Sequence, residues 1–278
     1  MEHLQQVLQG DCRDLLKTLL DNSCDCCVTS PPYYKQRNYG AAGQMGLEEN
    51  ERLYIDGLVE VFREVRRVLK DDGTLWLNIA DSYAKKRLLC IPWRLALALQ
   101  EDGWILRQDI IWNKPNAMPE NAKDRCTRSH EYIFLFSKSK RYYFDYEAIK
   151  EPCGKKGNAR SFRGGGAYTN KRSFDNAAAV ERESHGNTAN KSGKRLKRDV
   201  WSVATKGFAG AHLSTFPEKL VEPCILAGAR PGGVVIDPFL GSGTTAVVAK
   251  RNGRGCIGIE IDPENVVISK NRIQEVEL

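Results

Sequence analysis

A chain of 278 residues with 41% hydrophobic content suits one large α/β domain, or one such domain with a sizeable insertion. No apolar run approaches the roughly 20 residues of a membrane span, and Met1-Glu2-His3-Leu4-Gln5 is not a signal peptide, so a soluble, cytoplasmic protein is expected. The formal charge of +7 is concentrated: residues 153–199 hold twelve Lys and Arg against four acids (12 − 4 = +8), leaving 7 − 8 = −1 elsewhere, which points to a polyanionic partner.

In chain order, Leu4 to Leu8 reads as a strand ending at Gly10-Asp11. Asp11 is placed to cap a short helix with Leu15, Leu16, Leu19 and Leu20 on its apolar side. A second strand over about 24–29 leads into Ser30-Pro31-Pro32-Tyr33. The loop that follows, to about 47, is polar and carries Lys35, Arg37, Asn38, Tyr39 and Gly40, residues able to touch a nucleic acid. Ile55, Leu58, Val59, Phe62, Val65 and Leu69 recur at helical spacing, and Asp71-Asp72-Gly73 is expected to stop that helix before a strand over 74–79. A helix at about 91–101 precedes strands at 105–112 and 130–136. From 151 to about 210 periodicity vanishes, and Phe162, Tyr168 and Phe174 are interleaved with basic residues. Thr215-x-x-Glu218 is a capping-box pattern with Pro217 in the first turn, opening a helix to about 228. A strand over 234–236, a glycine turn and helix, a strand over 256–260 and a helix after Pro263 complete the chain.

Two stretches carry chemistry. At Ser30-Pro31-Pro32-Tyr33, successive prolines end the strand and stiffen a turn that offers a hydroxyl, free carbonyl acceptors and an aromatic face. A planar base bearing an exocyclic amino group needs those parts; the bland alternative is a proline-stiffened loop with a buried tyrosine. At Asp237–Thr245, Gly241 and Gly243 let the backbone approach a ligand closely. With Ala246 the spacing also fits a dinucleotide fingerprint, and Glu260 lies 23 residues after Asp237, so this motif alone leaves the adenosine-containing ligand open. No Gly-Lys-Ser/Thr closes a Walker loop. Only 41 residues follow Asp237, so earlier strands must complete the sheet, as in a circularly permuted doubly wound fold.

Nine cysteines include a Cys24, Cys26, Cys27 cluster with no second cluster, which reads as reduced core residues. The Pro-Cys pairs at Cys153 and Cys224 lack the exposed, activating setting a thiolate nucleophile needs. The four histidines show no ligand spacing, so no metal is expected.

Gly10-Asp11, Thr29-Ser30-Pro31-Pro32-Tyr33, a basic insertion, Phe216-Pro217-Glu218-Lys219-Leu220, Asp237-Pro238-Phe239-x-Gly241-x-Gly243-Thr244-Thr245 and Gly258-Ile259-Glu260 follow in that order. This series resembles the beta-ordered DNA amino-methyltransferases, in which the catalytic motif precedes the cofactor motif, over nearly the whole chain except the insertion. The resemblance implies a Rossmann-like, seven-stranded, mostly parallel α/β sheet of the S-adenosylmethionine methyltransferase type, circularly permuted. Its catalytic half would span 1–150, a basic target-recognition insertion 151–210, and its cofactor half 211–278. The implied strand order, in chain numbering, is first, seventh, sixth, second, third, fifth, fourth, with the fifth antiparallel.

The implied cofactor is S-adenosylmethionine. Phe239, Gly241 and Gly243, in one motif with Asp237 and Thr244, would wrap its methionine and ribose portions, and Glu260 would accept from the ribose hydroxyls. Asp11 would reach the adenine amino group, and the Thr215-Phe216-Pro217 turn would close over the methionine end. The implied reaction flips a base from double-stranded DNA onto Tyr33, with Ser30 and Pro31 accepting from its amino group and Pro32 stiffening the turn. Cytosine N4 is the expected target because position 30 is serine; adenine N6, a non-catalytic DNA-binding module, and methylation of RNA or protein are the alternatives, the protein case conflicting with the basic insertion. Lys35, Arg37, Arg160, Arg163, Lys171, Arg172, Lys194, Arg195, Lys197 and Arg198 are the expected DNA contacts. A cognate restriction endonuclease, a monomer or weak dimer, and no membrane partner complete the expectations.

Overall fold

Six consecutive buried residues, Cys24 to Thr29, run through the middle of the main sheet, and every chemical feature below hangs on their carboxyl end. The computed structural model describes residues 4–38, 40–152, 193–205 and 216–277. Two compact units are present: Met1–Ala148 with Arg198–Leu278, and Ile149–Lys197.

The larger unit begins with β1 (Gln5–Gln9), α1 (Cys12–Leu15), β2 (Cys24–Thr29), α2 (Glu51–Val68) and β3 (Leu69–Ile79). A small hairpin, β4 (Tyr83–Ala84) and β5 (Arg87–Leu88), leads to α3 (Ile91–Glu101), β6 (Ile105–Asn113) and β7 (His130–Ser137). The smaller unit pairs β8 (Glu151–Pro152) with β9 (Lys194–Arg195), and Arg195 Nε lies 2.7 Å from Glu151 Oε1. The larger unit resumes with β10 (Val200–Ser202), α4 (Glu218–Gly228), β11 (Val234–Asp237), α5 (Thr244–Arg251), β12 (Gly255–Glu260) and α6 (Pro263–Gln274).

The sheet order is β1-β12-β11-β2-β3-β7-β6-β10, with β7 antiparallel to both neighbours and all other pairs parallel. Seven strands stand in the order implied by the sequence resemblance, and β10 adds an eighth at the edge. The indole of Trp201 anchors that strand: the residue is buried, its Nε1 donates to Arg198 O at 2.6 Å, and its ring lies 6.5 Å from that of Trp76.

Helix α2 shows how the layers form. Asn50 Oδ1 caps it by accepting from the amides of Arg52 and Leu53. Its buried face presents Tyr54, Ile55, Leu58, Val61, Phe62, Val65 and Val68 to the sheet, each burial worth roughly 1.5–3 kcal/mol before entropy is charged against it.

Two sequence expectations are corrected. Asp71-Asp72-Gly73 does not end α2; the helix stops at Val68, and the segment lies inside β3 as an irregularity, where the pairing with β2 jumps from Cys24–Leu69 to Cys26–Thr74. Local geometry explains it: Lys70 Nζ bonds Asp25 Oδ2 at 2.8 Å, and a Cβ at Gly73 would meet the Lys70 and Asp25 carbonyl oxygens at 2.9 and 3.0 Å. The capping-box pattern is also displaced. Pro217 occupies the N-cap of α4, so Glu218 is its first residue and pairs with Arg251 and Arg272 rather than reaching back along the helix; Thr215 lies outside the described residues.

Candidate active site

Parallel pairing places Val235 beside Cys26 and Ile236 beside Cys27, so β2 and β11 end side by side. Thr29 Oγ1 donates to Asp237 Oδ1 at 2.6 Å, and Thr245 Oγ1 donates to Asp237 Oδ2 at 2.6 Å. Phe239 N donates to the same carboxylate at 3.1 Å. One buried acid therefore clasps the end of β2, the turn after β11 and the start of α5. Burial pushes its carboxyl up to about 6, against the pull of these three donors.

The Ser30–Tyr33 turn begins one residue beyond that clasp. Tyr54 Oη donates to Pro32 O at 2.8 Å, whereas Pro31 O has no partner among the described residues. Tyr33 Oη donates to Glu131 Oε2 at 2.6 Å, and Asn78 Nδ2 donates to Tyr33 Oη at 2.5 Å, Glu131 Oε2 at 2.9 Å and Ser30 Oγ at 3.3 Å. Lys114 pairs with Glu131 and sits 4.3 Å above the Trp112 ring. Burial, with Glu131 beside it, pushes the Tyr33 phenol well above its ordinary value. Asn78 is 4% exposed, yet its Oδ1 finds no partner among the described residues, and it borders the cleft. Asn78, Lys114 and Glu131 were not singled out in the sequence. Asn78 interrupts the apolar run Leu75-Trp76-Leu77, the one signal that could have marked it.

The two turns open into one cleft of about 1620 Å³, bordered by Ser30, Pro31, Pro32 and Tyr33 on one side and Phe239, Gly241, Thr244 and Glu260 on the other. That exceeds the roughly 300–1,000 Å³ of an ordinary small-molecule pocket, leaving room for two ligands. Asp11, Arg37 and Phe216 also border it. Glu260 accepts from Gly241 N at 2.7 Å through Oε2 and from Asp262 N at 2.8 Å through Oε1; burial raises its pKa. Burial opposes ionisation of Asp11, but bonds from the Arg13 guanidinium and amide outweigh it and lower its pKa.

Three expected ligand contacts do not border the cleft. Asp237 is fully buried and does not border the cleft, because its carboxylate is consumed by the clasp. Gly243, at φ 87°, does not border it either; a Cβ there would meet Ser269 Cβ at 2.8 Å, so its smallness serves the packing of α5 on α6. Pro217 caps α4 outside the cleft border. Gly241 behaves differently: at φ 54°, an added Cβ would meet nothing within 4 Å, so open space lies over its backbone.

The sequence profile of the DNA methylase family, which groups N6 and N4 methyltransferases, matches residues 24–271. The chain belongs to this family. The type II methyltransferase M.SmaI of Serratia marcescens is 43% identical over 297 aligned positions, covering 96% of this chain and 90% of that protein. M.Cfr9I of Citrobacter freundii, also a type II methyltransferase, is 43% identical, covering 96% and 87%. Among solved structures, the cytosine-N4-specific PvuII DNA methyltransferase matches with a TM-score of 0.71 at 21% identity, covering 98% of this chain and 87% of that one. A Thermus thermophilus protein described as a putative DNA modification methylase, solved in complex with S-adenosyl-L-methionine, matches at 0.63 and 26% identity, covering 97% and 95%.

In this DNA methylase the structure describes six of the ten expected DNA-contacting residues. Arg160, Arg163, Lys171 and Arg172 lie outside the described residues. Lys194, Arg195 and Lys197 belong to the smaller unit, and Arg195 is engaged by Glu151. Lys35 turns back to donate to Glu49 O at 2.9 Å, 5.1 Å above the Tyr34 ring, whereas Arg37 borders the methylase cleft and Arg198 is exposed beside β10. Cys224 is buried within α4, away from the cleft, and Cys153 lies outside the described residues. Among the described residues no cluster of three or more His, Cys, Asp or Glu could hold a metal ion, and no helix is long and apolar enough to cross a membrane.

Proposed function

We propose that this methylase moves a methyl group from S-adenosylmethionine to the exocyclic N4 of a cytosine extruded from double-stranded DNA. The observation that carries the reading is the clasp: Thr29 and Asp237 lock the end of β2 to the end of β11, so the base-binding turn and the glycine turn face one cleft. The cofactor fits the second half on local grounds. Open room lies over Gly241, and the Glu260 carboxylate, bonded to the amides of Gly241 and Asp262 and to the Asn265 side chain, keeps acceptor capacity for a ribose hydroxyl. Phe239 supplies apolar surface, and Asp11 and Phe216 lie at the cleft border.

When bound, S-adenosylmethionine supplies a methyl group made electrophilic by its sulfonium. The protein's part is placement. Tyr33, held by Glu131 and Asn78, stacks the extruded base; Ser30 Oγ and Pro31 O accept from its amino group. Accepting those hydrogen bonds draws the nitrogen lone pair out of conjugation with the ring and makes it more nucleophilic. Residues 151–210 act as the target-recognition insertion of a circularly permuted methyltransferase domain, with halves at 1–150 and 211–278. The similarity to type II methyltransferases supports a role as the modification partner of a restriction endonuclease.

The test is direct. Purified protein, S-adenosylmethionine and duplex DNA are incubated, and the DNA is digested to nucleosides and weighed. N4-methyldeoxycytidine is expected. N6-methyldeoxyadenosine would move the target atom, and an unmodified digest from protein that binds cofactor and DNA would make the chain a binding module.

A further inference from the structure

The β4–β5 hairpin turns on Lys85 and Lys86, at φ 49° and 63°, with Tyr83 opposite Leu88 and Ala84 opposite Arg87. Two successive left-handed residues define the tight hairpin turn for which Asn-Gly is the comfortable sequence; lysine there is strained. Backbone strain of this kind persists where the side chains it presents are used.

The neighbouring cations are engaged. Arg87 pairs with Glu51 at 3.2 Å, Arg125 pairs with Glu120, and Lys35 reaches Glu49 O. Lys85 and Lys86 are exposed and make no ion pair or hydrogen bond among the described residues. The foot of the hairpin is tied to residues of the cleft. Ser82 Oγ donates to Tyr34 O at 2.9 Å, just after the Ser30–Tyr33 turn. Gln36 Nε2 and Arg128 Nη1, both from cleft-bordering residues, donate to Asp81 O at 3.2 and 2.6 Å. Tyr83, 38% exposed, carries the Arg125 guanidinium 4.1 Å above its ring and that of Arg128 at 5.9 Å.

We propose that this hairpin is a second DNA-contacting element, separate from the insertion, with Lys85 and Lys86 gripping phosphates beside the extruded base. The proposal rests on the reading of the cleft as a base-flipping site. A base drawn into the cleft brings its flanking phosphates to the rim, which Gln36 and Arg128 border while bonding the foot of the hairpin; phosphate contacts of this kind fix register and carry no sequence information.

The experiment compares wild-type protein with K85N/K86G and K85R/K86R, measuring thermal stability, S-adenosylmethionine affinity and the salt dependence of duplex binding. Asn-Gly suits the turn, so K85N/K86G should melt at the same temperature or higher and bind cofactor normally. Its log–log salt slope should fall by about 1.8, two phosphates at about 0.9 each, so that a fourfold rise in salt weakens the wild type roughly twelvefold more than the variant. K85R/K86R should keep the wild-type slope. Equal slopes for wild type and K85N/K86G overturn the assignment, as does an equal loss in K85R/K86R, which would show that positive charge at these positions does not set the slope. If the wild type binds duplex but methylates nothing, the parent reading falls while the slopes still test the hairpin.

Discussion

Asp237→Asn should make this methylase more stable relative to wild type as pH rises. Asp237 titrates near 3.8 when exposed and at about 6 in the fold. A raised carboxyl pKa means the folded state binds the proton more tightly. The stability from that proton is fully present below about pH 3.8 and lost as pH rises through about 6. The full swing is about 3 kcal/mol, 2.2 units at 1.36 kcal/mol each; between about pH 4.5 and about pH 7.5 roughly 2 kcal/mol of it is traversed. Asparagine can keep the clasp: its Oδ1 accepts from Thr29 and Phe239, and its Nδ2 donates to Thr245 Oγ1. That hydroxyl can then turn to Val28 O, 3.4 Å away. Urea unfolding of both proteins across that range should show the stability difference shifting by about 2 kcal/mol in the variant's favour. Curves running parallel would mean that Asp237 titrates ordinarily and that burial is not the dominant influence on it.

Much of this fold was legible because its strands are short apolar runs ended by unmistakable turns. Cys24–Thr29 stops at two prolines, and Val234–Asp237 stops at a glycine turn. The order of those turns along the chain resembled one family, and the strand order came with it. What stayed hidden lies in long-range pairing. Asp237 looked like a ligand contact because it begins the motif, yet only the three-dimensional clasp shows that Thr29, 208 residues away, uses its carboxylate. Glu131 and Asn78 meet across neighbouring antiparallel strands, a relation with no sequence spacing to betray it. The Asp71-Asp72-Gly73 stretch carries turn composition and does interrupt regular pairing, but as an irregularity inside β3, held by Lys70 on Asp25 and close packing at Gly73, rather than as the stop of a helix. The Lys85-Lys86 turn lacks the glycine or asparagine that would have announced a hairpin.

The two motif glycines should separate cofactor binding from stability. Both glycines are left-handed, so either alanine carries about 1–2 kcal/mol of backbone strain. Gly241→Ala, whose methyl would point into open space, should lower the melting temperature by that strain alone while weakening S-adenosylmethionine binding in calorimetry, whereas Gly243→Ala, also driven against Ser269, should lower the melting temperature further, and the opposite pattern would overturn both assignments. Tyr33→Ala should reduce methylation roughly five- to 160-fold, the equivalent of about 1–3 kcal/mol of base stacking, while leaving cofactor affinity intact. Loss of cofactor binding with unchanged DNA affinity would make Tyr33 a structural residue. The target atom is the last expectation. Ser30 Oγ shares Asn78 Nδ2 with Tyr33 and the Glu131 carboxylate, so a carboxylate at position 30 would add a second negative charge to a network in which Lys114 already pairs with Glu131. A neutral hydroxyl at position 30 is the arrangement the family resemblance associates with cytosine N4, the target proposed above. Ser30→Asp should accordingly lose methylation of the native site, measured as labelled methyl incorporated into DNA; full activity in that variant would show that the neutral hydroxyl does not select the base.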